Sequence, residues 1–222
     1  KALESLVDYG NTNYVATING LTNAIRQAPN VGMYRYIRGV IAQAHYNYLS
    51  AIDDYQYIID NRLYNYPGLN ASIAECQFYL GRFDEALKEI NYVLGTPGAT
   101  NNAGYFILKS KILRALGNNS EAVDAAAMAL AVAPNSAEAL AQMGLSYLSD
   151  GRAKEAMNLC NEATLTDSEN PYYYMLRAWI QNDYMGNSQN ASNLYTQALD
   201  IDVFHLENIN SLRGFALLFT DQ

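Results

Sequence analysis

Gly81-Arg-Phe-Asp-Glu-Ala-Leu-Lys-Glu-Ile-Asn-Tyr-Val-Leu94 is echoed downstream by Gly117-Asn-Asn-Ser-Glu-Ala-Val-Asp-Ala-Ala-Ala-Met-Ala-Leu130, then by Gly151-Arg-Ala-Lys-Glu-Ala-Met-Asn-Leu-Cys-Asn-Glu-Ala-Thr164 and by Gly186-Asn-Ser-Gln-Asn-Ala-Ser-Asn-Leu-Tyr-Thr-Gln-Ala-Leu199. Each segment opens on Gly and carries Ala five residues later. The pattern continues upstream from Tyr46 and from Thr12 in a less regular form.

Three columns of mostly small residues test this register. Thr17, Ala51, Ala86, Ala122, Ala156 and Ala191 are spaced by 34, 35, 36, 34 and 35 residues. Ala24, Ile58, Val93, Ala129, Ala163 and Ala198 keep the same spacings. Ser5, Gly39, Ala74, Ser110, Gly144, Ala178 and Gly214 form a third column in the segment before each of these, spaced by 34, 35, 36, 34, 34 and 36. A fixed period of this length marks an array of helix pairs. Two antiparallel helices pack closely only where small side chains let their backbones approach, which explains what the columns contain.

Turn chemistry agrees. Pro29 and Pro134 end helices they cannot continue, and Gly98 is expected to end another. Pro67 and Pro171 fall where first helices begin, where a missing N–H costs nothing. The register predicts helix pairs over 2–28, 33–63, 68–96, 103–133, 137–167 and 171–202. A final helix over 204–219 has apolar residues at helical spacing (Phe204, Leu206, Ile209, Leu212, Phe215, Ala216 and Phe219) and is expected to cap the array.

Gly151-x-x-x-x-Ala156, Gly144-x-x-Tyr147 and Pro134-Asn-Ser-Ala-Glu-Ala139 resemble the consensus of the tetratricopeptide repeat (TPR) family. The resemblance covers essentially the whole chain and is strongest from Gly81 onward. It implies an all-α fold, a right-handed α-α superhelix of about six helix pairs plus the carboxy-terminal cap. One solenoid domain over 1–222 follows, with repeats near 1–31, 32–66, 67–102, 103–136, 137–170 and 171–206. The chain departs from the family pattern at several places. Arg35 and Asn70 replace a large aromatic. Arg38, Lys109 and Arg177 stand where an apolar residue is usual, and Thr12 replaces Gly.

Composition narrows the function. Half of the 222 residues are hydrophobic and 16% are charged. Lys and Arg number 14 against 22 Asp and Glu, a net charge of −8, so nucleic acid is not an expected partner. No run of 18 apolar residues occurs, and no membrane insertion is expected. Cys76 and Cys160 form no CxxC pair and read as buried free thiols. Abundant Tyr (19 residues) and Asn with few Lys is compatible with an exported bacterial protein, periplasmic or surface-attached.

No chemical constellation emerges. His45 and His205 lack metal-ligand neighbours. Phosphate-binding, dinucleotide and nucleophile-elbow motifs are absent. Asp53-Asp54 and Asp200/Asp202 read as solvated acids on helix ends or surfaces. The expectation is no enzyme, no cofactor and no metal. The resemblance implies binding of a protein or peptide on the concave face formed by the first helices. By register that face receives Tyr36, Gln43, Glu75, Tyr79, Lys111, Arg114, Glu138, Tyr172, Met175, Trp179 and Asn182. Tyr172, Tyr173, Tyr174 and Trp179 form the most suggestive cluster, either as recognition anchors or as packing between repeats. The Lys/Asn/Arg clamp that TPR co-chaperones use for a peptide carboxylate finds no match at Tyr36, Val40, Ala71, Glu75 and Ile107; only Lys111 and Arg114 suit that ligand. Two alternatives stand beside this reading: a spacer or regulatory arm of a larger exported protein, and glycan or small-molecule binding in an aromatic, Asn-rich groove.

Overall fold

The computed structural model describes residues 2–63 and 68–202, with side chains from Tyr14 onward. Pro67 and the expected cap over 204–219 lie outside them. The described residues hold eleven α-helices and no strand: α1 (Ala2–Gln27), α2 (Gly32–Ala44), α3 (Tyr48–Asp60), α4 (Gly68–Tyr79), α5 (Phe83–Leu94), α6 (Ala103–Ala115), α7 (Asn119–Val132), α8 (Ala137–Ser149), α9 (Ala153–Thr166), α10 (Pro171–Asp183) and α11 (Ser188–Asp202). From α2 on, each first helix packs against the second helix that follows it. The chain forms two compact units, Lys1–Ala99 and Thr100–Gln222, whose boundary falls within the connector over 95–102.

The small-residue columns lie where helices cross. Ala86, Ala122, Ala156 and Ala191 are all buried, as are Ala74, Ala129, Ala163 and Ala178. A Cβ on Gly144 would come within 2.9 Å of Cys160 Sγ and 3.1 Å of the Ala156 carbonyl oxygen. One on Gly39 would meet the Tyr55 ring at 2.6 Å. Glycine at these two positions sets how closely α8 meets α9 and α2 meets α3.

In the first unit the core gathers Ala42, Ala51, Tyr55, Ile58, Leu69, Ile73 and Cys76. In the second it gathers Leu140, Leu145, Leu148, Met157, Cys160, Tyr173, Leu176 and Ile180. Each large apolar side chain among these contributes about 1.5–3 kcal/mol on burial. Both cysteines are buried and free, and desolvation pushes their thiols up to about 12. A buried hydroxyl chain ties three helices of the second unit: Ser110 Oγ donates to the Ala122 carbonyl (2.9 Å) and lies 2.9 Å from Ser146 Oγ, which donates to the Gln142 carbonyl (2.9 Å).

Helix ends follow local chemistry. Asn102, Ser136 and Asn170 accept from backbone N–H groups at the starts of α6, α8 and α10, and Pro171 occupies the first turn of α10. Gly81, Gly117, Gly151 and Gly186 turn each pair with positive φ (65° to 78°), a region open to glycine. Tyr46 takes the same place with φ 61° despite its side chain.

Three expectations change. Over 2–28 the register predicts a helix pair, but α1 runs unbroken from Ala2 to Gln27; Thr12 stands at the turn position where later repeats have a left-handed glycine. Helix α5 ends at Leu94 with Gly95 as its cap, and Gly98 (φ +83°) instead turns the chain into the short 3-10 turn Ala99–Asn101. Asp54, read as a solvated acid, is 2% exposed. Arg38 Nε donates to its Oδ2 (2.7 Å) and Arg38 Nη2 to its Oδ1 (2.6 Å), while Arg35 Nη1 donates to Oδ1 at 3.2 Å. Arg38 Nη1 also donates to Thr22 Oγ1 of α1 (3.0 Å), and the Arg35 guanidinium carbon lies 3.5 Å from the Tyr57 ring centroid. The departures Arg35 and Arg38 thus answer an acid on the neighbouring helix.

Candidate functional site

The first helices carry the residues that the register assigns to a binding face. In the first unit these are α2 and α4. Tyr36, half-buried on α2, lies 6.4 Å from Tyr55, ring to ring. Gln43, two turns on, is fixed at both ends: Tyr55 Oη donates to its Oε1 (3.1 Å), and its Nε2 donates to Glu75 Oε2 on α4 (2.7 Å). A fully buried tyrosine thus orients a polar pair at the surface, and desolvation raises its phenol pKa well above the ordinary value.

Tyr79 sits apart from that pair, at the end of α4. It stacks on Tyr48 (5.1 Å, 11°) and meets Phe78 edge-on (5.5 Å). The structure therefore joins Tyr36, Gln43 and Glu75 around Tyr55 and puts Tyr79 in an aromatic run along the turns. His45 ends α2, exposed, with its ring 4.2 Å from Tyr14.

In the second unit α6, α8 and α10 supply the remaining residues. Lys111 on α6 pairs with Glu138 on α8 at 3.1 Å. One turn further, Arg114 Nη2 donates to Gln142 Oε1 at 3.2 Å. Gln142 is buried and was not among the residues singled out by sequence; its i+4 spacing from Glu138 on one helix face is the signal that points to it. Arg114 has no described carboxylate partner, and its buried Nε has no hydrogen-bond partner among the described residues. Burial lowers its pKa, with a partly opposing influence from Tyr172 on α10. Tyr172 is 42% exposed, yet enough protein surrounds it to raise its pKa by desolvation, against the pull of Arg114.

Helix geometry divides the tyrosine run. Successive residues differ by about 100° around the axis, so Tyr172 faces out, Tyr173 enters the core, and Tyr174 packs against Ala178, Ala191 and Leu194. Met175 is half-buried. Trp179 packs against the α8–α10 core and meets Tyr184 edge-on at 5.4 Å. Asn182 donates to Asp183 Oδ1 at 2.8 Å. Of the expected aromatic cluster, Tyr172 is the one exposed member.

No group of three or more His, Cys, Asp or Glu residues able to hold a metal occurs among the described residues. None of the described helices is long and apolar enough to cross a membrane.

Residues 113–180 match the family model of the tetratricopeptide repeat. Solved structures similar to this chain include a thermophilic TPR protein of Thermus thermophilus, at 21% identity and a TM-score of 0.70, covering 84% of this chain and 99% of that one. MamA (residues 41 to the end) from Desulfovibrio magneticus RS-1 aligns at 16% identity and a TM-score of 0.61, covering 77% and 94%. YrrB, described as a TPR protein with an unusual peptide-binding site, aligns at 16% identity and a TM-score of 0.55, covering 87% and 97%. No curated protein matches the sequence. Residues 113–180 are tetratricopeptide repeat sequence, and the fold is that of TPR proteins. Such a fold supports a protein-interaction scaffold and is typically non-enzymatic.

Proposed function

We propose that this protein is a non-enzymatic scaffold that binds a protein or peptide segment on the concave face of its first helices. The observation that carries this reading is Arg114, a desolvated arginine held by Gln142 without a carboxylate, beside the outward-facing Tyr172. In a chain with more acids than bases, leaving such a cation unpaired has a stability cost that an intramolecular acid would remove. Its retention suits a site completed by a ligand. Lys111, Met175, Trp179 and Asn182 extend the same row of first-helix positions, and Tyr36, Gln43 and Tyr79 are their counterparts in the first unit. Backbone amides and side chains of an extended segment match this mixture of polar and aromatic groups. YrrB, with its peptide-binding site on the same fold, supports the comparison.

The test is selection of binders from a displayed random-peptide library, followed by calorimetry on the best sequences. Arg114→Ala and Tyr172→Ala are each expected to weaken binding by about tenfold or more, with circular dichroism unchanged. Full affinity in both variants rejects the assignment of the face.

A further inference from the structure

Tyr46 breaks a rule that the other turns keep. The turns before α5, α7, α9 and α11 place glycine in the left-handed region, at Gly81, Gly117, Gly151 and Gly186. The turn before α3 places a tyrosine there, with φ 61°. A bulky side chain in that region is an outlier. Packing does not account for it, because Tyr46 is 81% exposed. Strain kept for a side chain that stands in solvent points to a role for that side chain beyond the fold.

The ring has aromatic company. Tyr46 lies 6.3 Å from Tyr48, with the two planes at 81°. Tyr48 is half-buried and stacks on Tyr79 of α4, which is 55% exposed. Glu75 stands one turn before Tyr79 on the same helix face. It accepts from the neutral amide of Gln43, and none of the ion pairs among the described residues includes it. The surroundings are electron-rich. Desolvation raises the Tyr48 phenol pKa, and Tyr79, Tyr46, Cys76 and Glu75 each raise it further; no cation is among the groups that act on it. An anion is repelled here, and a cation is attracted by ring faces and carboxylate together.

The chain itself shows which cation such a surface takes. At the turn before α9 the residue after Gly151 is Arg152. Its guanidinium carbon lies 3.9 Å from the Tyr147 ring centroid, and its Nε donates to Glu155 Oε1 at 3.1 Å. Arg35 covers Tyr57 in the same way while donating to Asp54. Arginine, tyrosine ring and carboxylate thus recur as a trio. At the turn before α3 the residue after Tyr46 is Asn47. The rings and an acid are present there, and the arginine is not.

We propose that a partner supplies it: Tyr46, Tyr48, Tyr79 and Glu75 form a docking point for an arginine-bearing segment of another protein, the guanidinium laid on the rings and turned toward the carboxylate. A planar cation suits a ring face better than an ammonium does. The chain's net charge of −8 favours a basic segment. The site belongs to the first unit and does not rest on the Arg114–Tyr172 reading.

The test uses the full chain and a labelled nine-residue peptide of alternating Arg and Gly, read by fluorescence anisotropy. Saturable binding is expected. Tyr46→Gly is expected to weaken it by about two- to fivefold, the worth of one exposed cation–π contact. The same variant is expected to raise the urea midpoint, so a lost fold cannot explain the loss. Glu75→Gln, which keeps an oxygen for Gln43, is expected to weaken binding by about twofold or more. The peptide with Lys in place of Arg is expected to bind more weakly, and Arg114→Ala to leave the affinity unchanged. Equal affinity of Tyr46→Gly and the native protein overturns the proposal, as does failure of the Arg peptide to bind. Binding lost in Arg114→Ala but kept in Tyr46→Gly overturns it equally, since the peptide would then sit on the second unit.

Discussion

Arg38 holds Asp54 by two parallel hydrogen bonds, Nε to Oδ2 at 2.7 Å and Nη2 to Oδ1 at 2.6 Å, across the α2–α3 contact. The carboxylate is buried and the arginine is about three-quarters buried, and the hydrogen bond to Asp54 raises the guanidinium pKa. The planar fork matches the carboxylate in a way that lysine would not. With Arg35 on the same oxygen and Thr22 on Arg38, this group joins α1, α2 and α3.

Removing the acid leaves two arginines facing each other without a counter-charge. Asp54→Ala is expected to cost about 2–4 kcal/mol, below the fully buried case because both arginines reach solvent. Urea denaturation measures it. The double change Arg38→Met/Asp54→Leu is expected to recover much of the loss.

The exposed Lys111–Glu138 pair supplies a contrast. Lys111→Ala is expected to change stability by less than about 1 kcal/mol. A larger loss in the same urea experiment would show that this pair has a structural role.

Gly144 tests close helix approach. Adding one methyl in Gly144→Ala brings it against the Ala156 backbone and Cys160 Sγ. The expected loss is about 1–3 kcal/mol, seen as a lower Tm. Relief by the shorter Cys160→Ala in the double variant would locate the clash.

Tyr46 holds a left-handed backbone (φ 61°) while its side chain is 81% exposed. Tyr46→Gly relieves strain of about 1–2 kcal/mol, partly offset by the greater freedom of glycine in the unfolded chain. A net gain of about 0.5–1 kcal/mol is expected, read as a higher urea midpoint.

The buried thiols set an alkaline limit. Cys76 and Cys160 have pKa values raised to about 12 from an ordinary 9.0. Raised folded-state values mean that their contribution is complete below about pH 9 and is lost as pH climbs toward 12. Tyr173, also pushed up to about 12 by burial, acts in the same direction. A pH series of unfolding midpoints is expected to fall across that window, and a thiol reagent is expected to label neither cysteine until the protein unfolds.

The architecture was legible because burial at a helix crossing admits few side chains. Ala86, Ala122, Ala156 and Ala191 declare the crossings by size alone, and the structure buries each one. Gly81, Gly117, Gly151 and Gly186 declare the turns by φ. Asp54 was not legible from its own helix, where an acid beside Asp53 looks solvated. Its partners Arg35 and Arg38 come from the helix before, and only the departure of both arginines from the TPR pattern hinted at a buried acid. Tyr172, Tyr173 and Tyr174 were legible as a cluster but not as three environments, because assigning them needs the helix phase. The unbroken course of α1 was also hidden, since Ser5 and Thr17 keep the period whether or not the chain turns between them.

The hydroxyl chain through Ser110 and Ser146 couples α6, α7 and α8 in one further respect. Ser146 donates within α8 to Gln142, but Ser110 on α6 finds its acceptor on α7, at Ala122, and rests against Ser146 of α8, and breaking such contacts in this dry interior is costly. Partial opening that frees α7 alone is thereby penalised, so amide hydrogens along the three helices should exchange with deuterium at a common rate, as a single cooperative block.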